Sequence, residues 1–242
     1  MKTKADKRKI TVQLWGPLLK KLNELAAAAC LNRDAYLDVV FANEAAMLVS
    51  ELKGKKNSDR ARAFIKQCFA ELKDLHPVSF TLTPETADAL TDACDQANVW
   101  RDVFVNRVIF FLVAKSTTIE DQLRFKFKDH TRALRRAGED MKSFLEAPRL
   151  VAIREFISDD PFLGIREVLR SEYPDSDGEL HDMPLGEPMG ATAGERGLAG
   201  FTTYLDDQYV PGTSENKEWQ ARSAELTALL GFEDCPQPEA TK

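Results

Sequence analysis

The segment Lys9-Ile10-Thr11-Val12-Gln13-Leu14 alternates polar and apolar residues, and the chain carries a second copy of it. Such alternation is the period of a strand with one buried face. A strand this short leaves its ladder groups unpaired and cannot stand by itself. It needs an antiparallel partner. After a shift of 68 residues, Val78, Phe80 and Leu82 stand where Ile10, Val12 and Leu14 stood, with Ser79 and Thr81 in place of Thr11 and Gln13. One polypeptide can therefore supply both strands of a ribbon, with the six apolar side chains on one face.

The flanks repeat as well. Gly16-Pro17 follows the first segment, and proline at a first helical turn costs no hydrogen bond. Leu18, Leu22, Leu25, Ala26 and Ala29 then recur at helical spacing. Asn32 can cap a second helix, with Tyr36, Leu37, Val40 and Phe41 on its apolar side. In the second copy Thr83-Pro84-Glu85 is the helix start. Leu90 matches Leu22, Ala97 matches Ala29, and Arg101-Asp102 matches Arg33-Asp34 without a gap. Phe104, Val105, Val108 and Ile109 match Tyr36, Leu37, Val40 and Phe41.

Strand, helix, turn, helix, twice in one register: this resembles the ribbon-helix-helix family of Arc- and CopG-like regulators, over residues 8–52 and 76–115. The resemblance implies a mainly α fold, a tandem ribbon-helix-helix pseudo-dimer around a two-stranded antiparallel ribbon. It implies double-stranded DNA as partner, because a ribbon of this width fits the major groove. The family's base-reading positions correspond to Lys9, Thr11 and Gln13 in repeat one and to Ser79 and Thr81 in repeat two. Gln13 can bond adenine at two points, the hydroxyls suit either base type, and Lys9 can reach guanine or a phosphate. The second helices, starting at Asn32-Arg33 and Trp100-Arg101, would hold phosphates on their free amides, with Arg8 as a further phosphate contact. One departure stands out. Pro77 replaces Lys9, so repeat two has no long side chain on its reading face and should read bases weakly.

Between the repeats, residues 58–75 are expected to form a connecting helix. Ala61, Phe64, Ile65, Cys68, Phe69, Leu72 and Leu75 share one face, expected to pack in the core. Residues 118–147 show another helical pattern, with Ile119, Leu123, Phe127, Leu134, Met141 and Leu145 on its apolar side. Arg124, Lys128, Arg132, Arg135 and Arg136 follow the opposite face as candidate phosphate contacts or as a solvated stripe. The expected division is a tandem module over 1–115 and a helical C-terminal region over 116–242. Helical patterns continue through Leu150–Ile157 and Pro161–Glu172, and Glu215–Leu230 reads as a last helix ended by Gly231. Between them, residues 173–214 hold seven of the twelve glycines and four of the eleven prolines and read as a long loop.

Charge divides the chain too. Residues 1–149 hold 26 Lys+Arg against 20 Asp+Glu, and residues 150–242 hold 7 against 19. A basic part joined to an acidic part suggests different partners, and residues 150–242 could bind a protein as antitoxin tails of this family do. Other readings are a relaxosome accessory protein and a scaffold that binds no DNA. A homo-oligomer built through residues 116–242 also stays open. No apolar run approaches the roughly 20 residues of a membrane span, so a cytoplasmic, nucleoid-associated protein is expected. Cys30, Cys68 and Cys94 are expected as small buried hydrophobes. The three histidines lack metal-ligand spacing, no catalytic motif occurs, and neither an enzyme nor a cofactor is expected.

Overall fold

Alternation becomes pairing in the computed structural model, which describes residues 7–146, 160–172 and 198–229. Strand β1 (Arg8–Trp15) runs antiparallel to β2 (Leu75–Leu82), from Arg8 opposite Leu82 to Trp15 opposite Leu75. Ile10, Val12, Leu14, Val78, Phe80 and Leu82 are all buried. Lys9, Thr11, Gln13 and Ser79 are exposed, and Thr81 is half-buried. A slip of one residue would turn the apolar set outward, so burial holds the register.

Helices α1 (Gly16–Ala28) and α2 (Arg33–Leu52) follow β1; α4 (Pro84–Gln96) and α5 (Arg101–Val113) follow β2. Their ends are set locally. Asn32 Oδ1 accepts the Ala35 amide at 3.1 Å, and Thr83 Oγ1 accepts that of Thr86 at 3.3 Å. Such caps satisfy amides that the helix itself leaves open. Gly16 donates its amide to the Asp74 carbonyl at 2.8 Å. A Cβ there would lie 2.1 Å from Asp74 Oδ2 and 3.2 Å from the Asp74 carbonyl, so any side chain would have to displace the Asp74 carboxylate. Cys30 and Asn98, 68 residues apart, end α1 and α4 at φ 55° and 52°. The amides of Leu31 and Val99 then reach back to the Ala26 and Cys94 carbonyls, again at the same offset.

Packing crosses between the repeats. α1 lies on α5, and α2 on α4. The outward amides of the ribbon are taken up by the opposite repeat's second helix. Gln13 donates to Asp102 Oδ2 at 3.1 Å, and Thr81 donates to Asp34 Oδ2 at 3.0 Å. Trp15 donates to Asn106 Oδ1 at 3.0 Å, and Thr83 to Asp38 Oδ1 at 2.8 Å. Donors and acceptors in both sets are related by the 68-residue shift. The same parity explains Pro77. Its nitrogen points to the outer edge, where the lost N–H breaks no ladder bond.

The connecting helix differs from expectation. α3 spans Asp59–Ala70, capped by Ser58, and stops well short of residue 75. Asp74 takes φ 69°, and Leu75 and His76 are drawn into the ribbon opposite Trp15 and Leu14. Nor does the α3 stripe pack as core: Ala61 is buried, whereas Phe64, Ile65 and Phe69 are half-buried and Leu72 is 39% exposed. Cys68 is exposed too, as is Cys30; Cys94 alone of these three is buried, and Cys235 lies outside the described residues.

Residues 118–147 do not form one helix. The chain breaks into α6 (Ser116–Leu123), a 3-10 turn (Phe127–His130), α7 (Thr131–Arg136) and α8 (Met141–Glu146). Arg124 at φ 57° ends α6, and Phe125 and Phe127 are then both buried. Glu120, itself buried, accepts the Phe127 amide at 2.8 Å and secures the bend. The Phe127 ring meets those of Phe125 and Phe144 edge-on, at 5.0 and 4.4 Å. The break lets all three rings turn inward, and aromatic rings bury large apolar areas.

Two later helices return to the ribbon module. α9 (Leu163–Glu172) carries Arg166, 1% exposed, ion-paired with Glu44 and Glu51 of α2 and with Asp160 at 3.1 Å. α10 (Leu198–Thr203), expected within a loop, packs on α2 and α5 through buried Leu198 and Ala199. Asn57 holds its end, donating to the Thr203 carbonyl and accepting the Leu205 amide, each at 2.9 Å. α11 spans Ser214–Leu229. Residues 150–157 and most of the expected loop, 173–197, lie outside the described residues. The core runs without a break from Ile10 to Ala199. Among the described residues no helix is long and apolar enough to cross a membrane.

Candidate nucleic-acid interface

The exposed face of the ribbon is a small grid. Lys9 stands opposite Thr81, Thr11 opposite Ser79, and Gln13 opposite Pro77. Thr11 Oγ1 and Ser79 Oγ lie 3.0 Å apart and satisfy one another at the centre. The Lys9 and Gln13 side chains have no hydrogen bond or ion pair among the described residues, so their donors and acceptors face water. The main chain beneath Gln13 is held on both sides: its amide goes to Asp102, and its carbonyl accepts Asn106 Nδ2 at 2.7 Å.

The expected phosphate contacts are placed unevenly. Arg8 is ion-paired with Asp88. Arg33 donates to Asn23 at 3.0 Å, pairs with Asp34 at 2.9 Å and covers the Phe80 ring at 5.3 Å. Arg101 donates to the Thr11 carbonyl at 3.0 Å and so sits against the ribbon edge. Asn32 spends its side chain on its own helix end, whereas Trp100 gives α5 no side-chain cap. Above the Trp100 ring lie the Arg62 guanidinium at 4.4 Å and Lys66 Nζ at 4.3 Å. Both cations come from α3, and both add to the positive end of the α5 dipole. Sequence reading missed them. Their four-residue spacing on the polar side of α3 was visible, but their meeting with Trp100 is a tertiary fact.

Arg124, Lys128 and Arg132 are exposed but share no helix face. They sit at the end of α6, in the 3-10 turn and in α7 respectively. The expected stripe at 100° per residue required one continuous helix, which Phe125 and Phe127 prevent. The 3-10 turn and α7 pack on one another and on α9, whereas α6 packs on α8.

The buried charges lie elsewhere. Three carboxylates surround the Arg166 guanidinium, so the cluster carries excess negative charge when all are ionised. Burial pushes the Glu44 carboxyl up to about 7, against the opposing pull of Arg166. The same carboxylates hold the Arg166 guanidinium charged. Burial also pushes the Cys94 thiol up to about 12, which leaves it unreactive. Among the described residues no group of His, Cys, Asp and Glu could hold a metal ion.

Set against family models, curated proteins and solved structures, the chain matches none of them.

Proposed function

We propose that residues 1–115 are a tandem ribbon-helix-helix pseudo-dimer that binds double-stranded DNA, with the polar face of the ribbon in the major groove. The observation that carries this reading is the ribbon itself: apolar residues all inward, polar residues all outward, and Lys9 and Gln13 uncommitted. The crossed hydrogen bonds support the pseudo-dimer. Thr11 and Ser79 are opposite in the register and equivalent in the repeat, so a local two-fold axis passes between them. The uncapped α5 end with Arg62 and Lys66 supports a phosphate contact at that end. The family resemblance would make the protein a cytoplasmic transcription regulator of bacterial or mobile-element origin, a binding module without a catalytic step.

The register refines what a site would look like. The axis relates Lys9 to Pro77 and Gln13 to Thr81. One end of the ribbon thus offers Lys9 with Thr81, and the other offers Gln13 beside Pro77. A symmetric dimer would favour a palindrome; this face favours a site whose halves differ. Selection of bound duplexes from a random pool tests the reading. The expected outcome is a non-palindromic consensus whose binding weakens steeply with salt. Recovery of no enriched sequence, together with no salt-dependent duplex binding, would sink it.

A further inference from the structure

The incomplete burial of α3 leaves a cavity of about 540 Å3 between α3, α5 and the end of β1. Phe64 and Phe69 of α3, Phe110 of α5 and Trp15 of β1 form its apolar wall. Pockets of roughly 300–1,000 Å3 with apolar walls and few polar groups are the usual size for small-molecule ligands. The polar group that matters here is Arg107 of α5. It lines the cavity, yet among the described residues it has neither a hydrogen bond nor an ion pair. Burial lowers the pKa of its guanidinium below the usual arginine value. Arg107 is half-buried, and a partly desolvated cation without a counter-ion favours an anionic partner.

The repeat shows that the scaffold does not require this charge. The equivalent of Arg107 in repeat one is Val39, on the same turn of α2, and it is 55% exposed. Arg124 also lines the cavity. We propose that this cavity binds a small organic acid, with its apolar body against Phe64, Phe69 and Phe110 and its carboxylate on Arg107. A guanidinium fork takes a carboxylate with two parallel hydrogen bonds, which supplies the missing counter-charge. Asn106 and Trp15 line the same cavity and are bonded to each other at the end of the ribbon. Occupancy would therefore bear on the β1 end that carries Gln13.

The site stands whether or not the ribbon binds DNA, and its test needs no DNA. Isothermal titration calorimetry on the full chain would compare decanoate with decanol, which has the same tail and no charge. Decanoate should bind at least about tenfold more tightly, the effect of one charge-assisted pair. Arg107→Gln should abolish that preference, and Arg107→Lys should keep part of it. No binding of decanoate to the wild-type chain would overturn the proposal. So would equal affinity for the two probes, or an undiminished preference in Arg107→Gln. Should the variant fail to fold, the wild-type comparison alone decides.

Discussion

The two repeats share a scaffold and differ in what they present. The left-handed helix ends at Cys30 and Asn98, the amides accepted by Asp34 and Asp102, and the buried Val12 and Phe80 recur at one offset. Elsewhere the equivalents part. Lys9 is replaced by Pro77, Gln13 by Thr81, and Val39 by Arg107. Glu44, buried and paired with Arg166, has buried Leu112 as its counterpart. Positions that close the ribbon and its four helices have kept their chemistry. Positions that meet later parts of the chain or solvent have not. Packing and backbone bonding constrain the first group wherever they occur, and nothing equivalent constrains the second.

The sharpest way to break the shared part is through its core. Phe80 is fully buried and meets the Phe41 ring edge-on at 6.0 Å. Phe80→Ala should cost about 3–5 kcal/mol, and Val12→Ala, its equivalent, clearly less because fewer atoms are removed. Chemical denaturation of both variants checks the order. Equal losses would show that the ribbon's two strands are not packed as described.

Arg166 tests the unshared part. Arg166→Met should cost about 3–5 kcal/mol, because it leaves buried carboxylates without their cation. The same cluster gives a pH signature. The folded-state pKa of Glu44 is raised to about 7, so the folded protein holds this proton where the unfolded chain has released it. Stability from this group is complete below the unfolded carboxyl range and falls as pH rises through about 7. Glu44→Gln should flatten the fall, measured as melting temperature between pH 5 and 8 on the scale of ordinary carboxyl and histidine titration. A wild-type curve that rises across this window would refute the assignment.

Asp34→Ala and Asp102→Ala sharpen the comparison from the other side. Each removes a carboxylate acceptor of a ribbon amide, and hydrogen bonds to charged groups contribute about 1.5–3 kcal/mol. The two losses should agree to within about 1 kcal/mol, since the bonds measure 3.0 and 3.1 Å and the further pair of Asp34 with Arg33 is partly exposed. A large inequality would mean that only one repeat holds its strand this way.

The smallest effect on stability belongs to the reading face. Gln13→Ala should leave the melting temperature nearly unchanged, as expected for an exposed side chain. On a selected duplex it should weaken binding by about 1–3 kcal/mol. Thr81→Ala, at the equivalent position, should weaken it less. Footprints that show the same base preference at both ends of the ribbon would end the idea of unequal halves.

Local chemistry was legible in the residues. Alternation over 9–14 and 78–82 marked the strands, Asn32 and Thr83 marked helix starts, and the unbroken 68-residue register implied that the strands pair within one chain. The mainly α fold with a two-stranded antiparallel ribbon follows from these signals. Each of them acts over a few residues or over an exact repeat, so the sequence by itself determined them. Tertiary structure decided the rest. Periodicity predicted one helix through 118–147, and three inward phenylalanines broke it. Periodicity also predicted that the α3 stripe is core, but α5 and β1 leave a cavity beside it. Arg166 gave no signal at all, because two of its three carboxylate partners, Glu44 and Glu51, lie more than a hundred residues away on α2. Burial, and the charge a buried group must find, depend on which distant surfaces meet, and no local pattern carries that information.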